Sequence, residues 1–151
     1  MTHFDSVFPE VAARETRSLY LPEGYKRLPC AQYGFLELYC DDPACDCRRV
    51  LFQVCRQDNP DKVLATITYG WETASFYTIL LRGDRKTARE MTGASLDACN
   101  TQSKHSDDLL ELFREVVLAD EDYVARLQRH YRMFKKALRK QDHKMRSSPE
   151  N

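Results

Sequence analysis

The sequence has no run of about 18 apolar residues, and residues 1–5 lack a basic segment followed by an apolar one. These absences argue against a transmembrane helix and against an export signal. We therefore expect a soluble, cytoplasmic protein with no membrane partner. In a reducing cytosol, clustered cysteines are more often metal ligands or redox groups than structural disulfides.

Several catalytic signatures are also absent. The chain contains no Gly-rich phosphate loop, no nucleophile elbow, no H-E-x-x-H pair and no compact acid pair. Its 23 Lys and Arg balance 23 Asp and Glu, so the overall charge does not indicate a nucleic acid or a membrane surface. The sequence therefore favours a protein that is not an enzyme, although it does not decide the point.

The chain has 151 residues, which suits a single domain with a real hydrophobic core. Four breakers within residues 1–30, Pro9, Pro22, Gly24 and Pro29, predict an irregular N-terminal segment, with at most a short helix over 10–19. We expect one α+β domain over residues 31–143 and a flexible tail over 144–151.

Three segments have the composition of β-strands. Residues 32–39, 49–57 and 62–70 are rich in β-branched and aromatic side chains, and the second and third are separated by the turn sequence Asp58-Asn59-Pro60-Asp61. Strands joined by such short connections predict a three-stranded antiparallel meander. A helix is expected over 75–81, followed by a long polar loop over 83–103.

The C-terminal third has helical periodicity. A first helix is expected from residue 107 to 118 with Ser106 as its N-cap, and a second from Asp120, as cap, to about residue 140. The short break between them predicts a helical hairpin. The expected fold is therefore α+β, with the meander packed on a C-terminal helical hairpin.

The most informative feature is a cysteine cluster. Cys40, Cys45 and Cys47 follow the spacing C-x4-C-x-C around a proline-containing turn at the tip of the first predicted hairpin. Thiolates this close repel one another unless a cation lies between them, and zinc is the usual soft divalent ion. The pattern favours a zinc site, with a redox-active thiol pair and ordinary cysteines as the alternatives.

A closed structural zinc site needs four ligands. Cys99, Cys30 and His105 are the candidates for the fourth ligand, with Cys55 less favoured because the second strand would point it into the core. Glu37 is a further candidate, although carboxylates are less usual ligands of structural zinc. If none of them binds, the fourth position stays open for water or substrate, as in catalytic zinc sites.

The predicted second helix is strongly basic. Nine Lys or Arg residues and one acidic residue, Asp142, lie between Arg126 and Arg146, which leaves 14 basic against 22 acidic residues elsewhere. Arg129, Arg132 and Lys136 are the candidate nucleic-acid contacts. The alternatives are a solvated helix face and an acidic protein partner, which includes the acidic half of another copy.

Several short segments carry a resemblance to known sequences: YCDDPACDCRRV at 39–50, ATITYGWE at 65–72, GASLD at 93–97, NTQSK at 100–104 and LLELF at 109–113. They resemble a set of small bacterial proteins, predicted from genomes, that have no assigned function. The resemblance covers roughly residues 30–135 and implies a cytosolic metal-binding protein without indicating a reaction.

Three functions follow from these features. The first is a binding or adaptor module in which zinc is structural and stabilises the cysteine-containing turn. The second is a nucleic-acid-associated regulator that uses the basic helix. The third is a zinc hydrolase with an open coordination position, for which Glu72 is the first candidate for the general base.

Overall fold

The computed structural model describes residues 1–100 and 102–147. The strands are β1 (Thr2–His3), β2 (Arg17–Leu21), β3 (Ala31–Tyr39), β4 (Arg49–Arg56), β5 (Asn59–Gly70) and β6 (Gly93–Leu96). The helices are α1 (Phe4–Val7), α2 (Pro9–Glu15), α3 (Ala74–Leu80), α4 (Arg85–Met91), α5 (Ser106–Leu112) and α6 (Glu121–Ser147), and a π-helical segment, Phe113–Val117, directly follows α5.

All described strands belong to one antiparallel sheet, which confirms the α+β class. The order is β1-β3-β4-β5-β6. The strands β1 and β2 lie along the same edge of β3: β2 pairs with its first half and β1 with its last two residues. The described sheet therefore has six strands, where the sequence predicted three. The predicted strands correspond to β3, β4 and β5, whose apolar residues alternate or run continuously.

The register brings four strand ends to one end of the sheet. Leu38 lies opposite Leu51, Arg49 opposite Gly70, and Gly70 opposite Gly93. The end of β3 and the beginning of β4 are thus neighbours, and the loop of residues 40–48 connects them. This loop contains the three clustered cysteines, and we call it the cysteine loop.

The prediction of an irregular segment over residues 1–30 was wrong. This segment contains α1, α2, β1 and β2. The edge strand β2 has only half-buried and exposed residues, so it shows no continuous apolar pattern. Its pairing with β3 supplies the stability that its own side chains do not.

The long loop predicted over 83–103 is also partly regular. Asp84 caps α4 by accepting hydrogen bonds from the backbone N–H groups of Lys86 and Thr87. Gly93, with φ of 73°, then leads into β6. Small and polar residues dominate β6, and only Ala94 is buried there, so the sequence has no recognisable strand pattern.

The C-terminal third is helical, with two differences from the prediction. Ser106 lies inside α5 and is not its cap, because its hydroxyl donates to the carbonyls of Ser103 and Leu64. Asp120 does cap α6, accepting from the backbone of Tyr123. The helix α6 continues to Ser147, so residues 144–147 of the predicted tail are helical, and residues 148–151 lie outside the described residues.

Aromatic side chains fill the core between the sheet and the C-terminal helices. Phe113 packs on Phe52 with ring centroids 4.9 Å apart, and Phe134 of α6 packs on Tyr39 at 5.6 Å. All four are fully buried. This packing holds α6 against the end of β3 and so beside the cysteine loop. None of the described helices is long and apolar enough to cross a membrane.

Candidate metal centre

The cysteine loop brings three sulfur atoms together. The Sγ atoms of Cys40, Cys45 and Cys47 all lie within 4.8 Å of one another. Cys40 directly follows β3 and Cys47 lies two residues before β4, so strand pairing alone makes them neighbours. Among residues 1–100 and 102–147, no other Cys, His, Asp or Glu joins the group.

A tight turn places Cys45 beside the other two cysteines. The carbonyl of Asp42 accepts from the N–H of Cys45 at 3.2 Å, which closes a β-turn with Pro43 and Ala44 at its centre. The carboxylate of Asp42 accepts from the N–H of Ala44 at 2.8 Å. Asp at the first position and Pro at the second are the residues that such turns prefer. Asp42 and Pro43, between Cys40 and Cys45, are therefore explained by the turn that they form.

Helix α6 holds the loop from one side. The ammonium group of Lys135 donates to the carbonyls of Cys40 and Asp42 at 2.9 and 2.8 Å. The hydroxyl of Tyr131 donates to the carboxylate of Asp46 at 3.0 Å and accepts from the N–H of Arg48 at 3.2 Å. These contacts join residues more than 80 positions apart and fix the loop to the helix.

Residues around α3 hold the other side. The hydroxyl of Tyr77 donates to the carbonyl of Arg48 at 2.9 Å. The guanidinium of Arg48 pairs with Asp46 at 3.1 Å and with Glu72 at 3.0 Å, and it lies 4.5 Å from the centre of the Phe76 ring. Arg48 has a φ of 48°, a left-handed conformation that is uncommon for a residue with a side chain. The loop is therefore anchored at both ends and at its turn.

Burial strongly affects the acidity of the thiols. It raises the pKa of Cys47 to about 12, with further increases from the nearby Cys45 and Cys40. Burial also raises the pKa of Cys45, and Cys40 adds to that rise. Cys47 therefore stays protonated at neutral pH unless a cation joins the cluster.

Lys135 is the residue near the site that the sequence analysis missed. Its side chain is only 3% exposed, yet within the described chain it makes no ion pair with a carboxylate. The positive charge lowers the pKa values of Cys45 and Cys47, opposing the effect of burial. Helical spacing contains a signal for it, because Lys135 lies four residues after Tyr131 and eight after Leu127, on the buried stripe of α6.

The structure places the candidate fourth ligands elsewhere. Cys30 is exposed just before β3, whose nine residues span about 30 Å and end at Tyr39, next to the cluster. Cys99 is exposed beyond β6, and its N–H donates to Asp97. His105 lines a cavity with Pro29 and Tyr33, at the end of the sheet opposite the cluster. Cys55, the less favoured candidate, is buried within β4.

The three candidate nucleic-acid contacts differ in their surroundings. Arg129 pairs with the carboxylate of Glu15 and so is used in the fold. Arg132 and Lys136 are exposed and line an open groove of about 920 Å³ along α6, next to Asp46 of the cysteine loop. Glu72, the candidate base of a hydrolase, is ion-paired with Arg48.

A second buried polar group lies on the same helix. His130 is fully buried, with Nδ1 at 2.7 Å from a carboxylate oxygen of Glu37 and Nε2 at 2.7 Å from one of Glu15. The Tyr39 hydroxyl also donates to Glu37, at 2.7 Å. Both ring nitrogens thus lie within hydrogen-bonding distance of a carboxylate oxygen. This network joins α2, β3 and α6, so we assign it a structural role.

No protein-family model matches the chain, and the curated proteins and the solved structures contain no significant match to it. The functional argument therefore depends on the geometry of the site.

Proposed function

We propose that the protein binds one zinc ion through Cys40, Cys45 and Cys47, and that the metal is structural, in a small binding or adaptor module. The observation that carries this proposal is the convergence of three sulfur atoms within 4.8 Å in a loop anchored on both sides. Thiolates are the ligands that soft divalent ions prefer, and a divalent ion removes the repulsion between them.

The charge of Lys135 supports the metal-bound form. A buried charge without a partner is costly, and buried charges in proteins are paired or coordinate metals. Three thiolates and one divalent ion have a net charge of −1, which a single ammonium group balances. With three neutral thiols instead, Lys135 would remain a buried cation held by two carbonyl acceptors and the Tyr131 ring, without a countercharge among the described residues. The helix thus supplies the countercharge that the metal centre needs.

The metal would connect the two ends of the cysteine loop. In the proposed role, zinc holds Cys40 near Cys47 and keeps the turn at Pro43 in one conformation against α6. The loop then presents a fixed surface to a partner. The resemblance of residues 39–50 to small bacterial proteins with the same cysteine cluster agrees with metal binding and suggests no reaction.

The fourth coordination position supports a second candidate, a zinc hydrolase. Three protein ligands among the described residues leave one position for water, as catalytic zinc sites do. A hydrolase also needs a general base, and Glu72 is held by Arg48. For this reason the structural role is the better supported of the two.

Elemental analysis of reduced protein, purified without a metal-binding tag, tests the proposal. We expect about one zinc per chain, lost in Cys45→Ser and Cys47→Ser and retained in Cys30→Ser and Cys99→Ser, which remove thiols outside the cluster. X-ray absorption at the zinc edge should show three sulfur neighbours at about 2.3 Å and one lighter atom. Protein without metal, or a metal retained in Cys47→Ser, would refute the proposal and favour thiol redox chemistry.

A further inference from the structure

We propose that the groove along α6 binds the phosphate backbone of a nucleic acid, chiefly through Arg132, Lys136 and Lys140. The basic groove, as we call it, encloses about 920 Å³. Its basic lining residues are Arg132, Lys136, Arg139, Lys140, His143 and Lys144, in addition to the buried Lys135. This function is independent of zinc binding, although the cysteine loop forms one wall of the groove.

Several cations of α6 have structural partners and are not part of the argument. Arg126 donates to the carbonyl of Glu15, and Arg129 pairs with the carboxylate of the same residue. Lys135 holds the cysteine loop, and Arg146 pairs with Asp142 at 3.1 Å. The fold therefore uses these four cations of the helix.

Three other cations of α6 form a row. Arg132, Lys136 and Lys140 follow at intervals of four residues, are exposed, and make no ion pair within the described chain. Four helical residues rise about 6 Å, so the row extends over about 12 Å of one rigid helix face. Arg139 lies beside this row and reaches the carbonyl of Pro43 at 3.5 Å.

Helix stability does not explain the row. Like charges four residues apart disfavour a helix. Cations do stabilise the C-terminal end of a helix, but this effect is confined to about the last turn. Arg132, Lys136 and Lys140 lie between 7 and 15 residues before the end of α6 at Ser147. The arrangement is instead suited to a ligand with repeated negative charges.

The chemistry of the surface favours a nucleic acid over an acidic protein. Protein interfaces are dominated by buried aromatic and apolar anchors. Among the described residues of α6, Met145 is the one large apolar side chain that is exposed, and it lies beyond the row. A phosphate backbone needs only cations and polar donors, and such contacts carry no base specificity. We therefore expect binding that is independent of sequence.

Fluorescence anisotropy of the full chain with labelled DNA and RNA oligonucleotides, single-stranded and duplex, tests this proposal. Four phosphate contacts, from Arg132, Lys136, Arg139 and Lys140, predict a slope of about −3.6 for log K against log salt with duplex DNA. Affinity should then fall about 150-fold between 50 and 200 mM salt. No binding to any of these probes at 50 mM salt would overturn the proposal.

Two triple variants separate the groove from overall charge. Arg132→Gln with Lys136→Gln and Lys140→Gln should reduce the slope to about −0.9, because one of the four contacts remains. The control neutralises three exposed cations of α4, in Arg85→Gln with Lys86→Gln and Arg89→Gln, and should leave the slope unchanged. An equal loss in both variants would refute a specific groove. Thermal melting and zinc content should be unchanged in both, which separates this test from the metal proposal.

Sedimentation of the protein alone identifies the competing occupant. A salt-sensitive dimer that the Arg132, Lys136 and Lys140 variant abolishes would mean that the groove binds the acidic part of a second copy, and would overturn the nucleic-acid proposal. A monomer at all salt concentrations, together with the expected slopes for the oligonucleotides, would support it.

Discussion

Removing the metal should lower the thermal stability of the protein by an amount that the loop geometry sets. In the proposed site, zinc would join Cys40 to Cys47 and so close a loop of eight residues. Closing a loop of this length removes chain entropy from the unfolded state, equivalent to about 2.5 kcal/mol at 25 °C. For a chain of this size, each kcal/mol shifts the melting temperature by about 2 to 4 °C. We therefore expect a decrease of about 5 to 10 °C.

Circular dichroism melting of reduced protein, before and after treatment with a zinc chelator, measures this decrease. Adding zinc back should restore the original value, because it closes the same loop again. Cys47→Ser should melt at the temperature of the chelated protein and should not respond to the chelator. Cys30→Ser serves as the matched control, since it removes an exposed thiol outside the cluster and should behave as the wild type does.

Two results would refute this reasoning. If the chelated protein melts at the same temperature as the metal-bound protein, the metal does not contribute to the stability of the fold, and a structural role is wrong. If Cys30→Ser loses as much stability as Cys47→Ser, the effect belongs to thiols in general and does not arise from closing the cysteine loop.

Two further predictions concern buried side chains of α6. Lys135→Met should weaken zinc binding about tenfold in a competition titration, because it removes the buried cation that balances a site of net charge −1. The exposed Lys136→Met is the control, and an equal loss of zinc affinity in both variants would contradict this role. His130→Ala should reduce the free energy of unfolding in urea by about 1 to 3 kcal/mol, because it leaves a buried carboxylate oxygen of Glu37 without the ring nitrogen that lies 2.7 Å from it. A loss below about 0.5 kcal/mol would contradict a role of this contact in stability.

The parts of the fold that the sequence predicted are those with a local signal. The strands β3, β4 and β5 and the helix α6 have strong apolar patterns, and Asp120 is recognisable as a cap. The edge strands β2 and β6 were missed, since their residues become a strand only by pairing with β3 and β5. Propensity in a sheet depends on its neighbours, which a short sequence window does not contain.

The same distinction between local and distant signals applies to the candidate metal site. Spacing alone identified the cluster of Cys40, Cys45 and Cys47, because the three cysteines and the turn at Pro43 lie within eight consecutive residues. Only the tertiary structure could decide whether a distant cysteine or histidine completes the site. It places Cys30 and His105 at the far end of the sheet, since strand length and register separate them from the cluster.

The sequence by itself determined that one short segment concentrates soft ligands and that one helix concentrates cations. The tertiary structure decided what each charge does: Lys135 faces the cysteine loop, Arg129 pairs with Glu15, and Arg132 and Lys136 remain exposed. The physical reason is the distance along the sequence over which each feature forms. The cysteine-containing turn forms from neighbouring residues, whereas burial and ion pairing depend on contacts between residues about 90 to 115 positions apart.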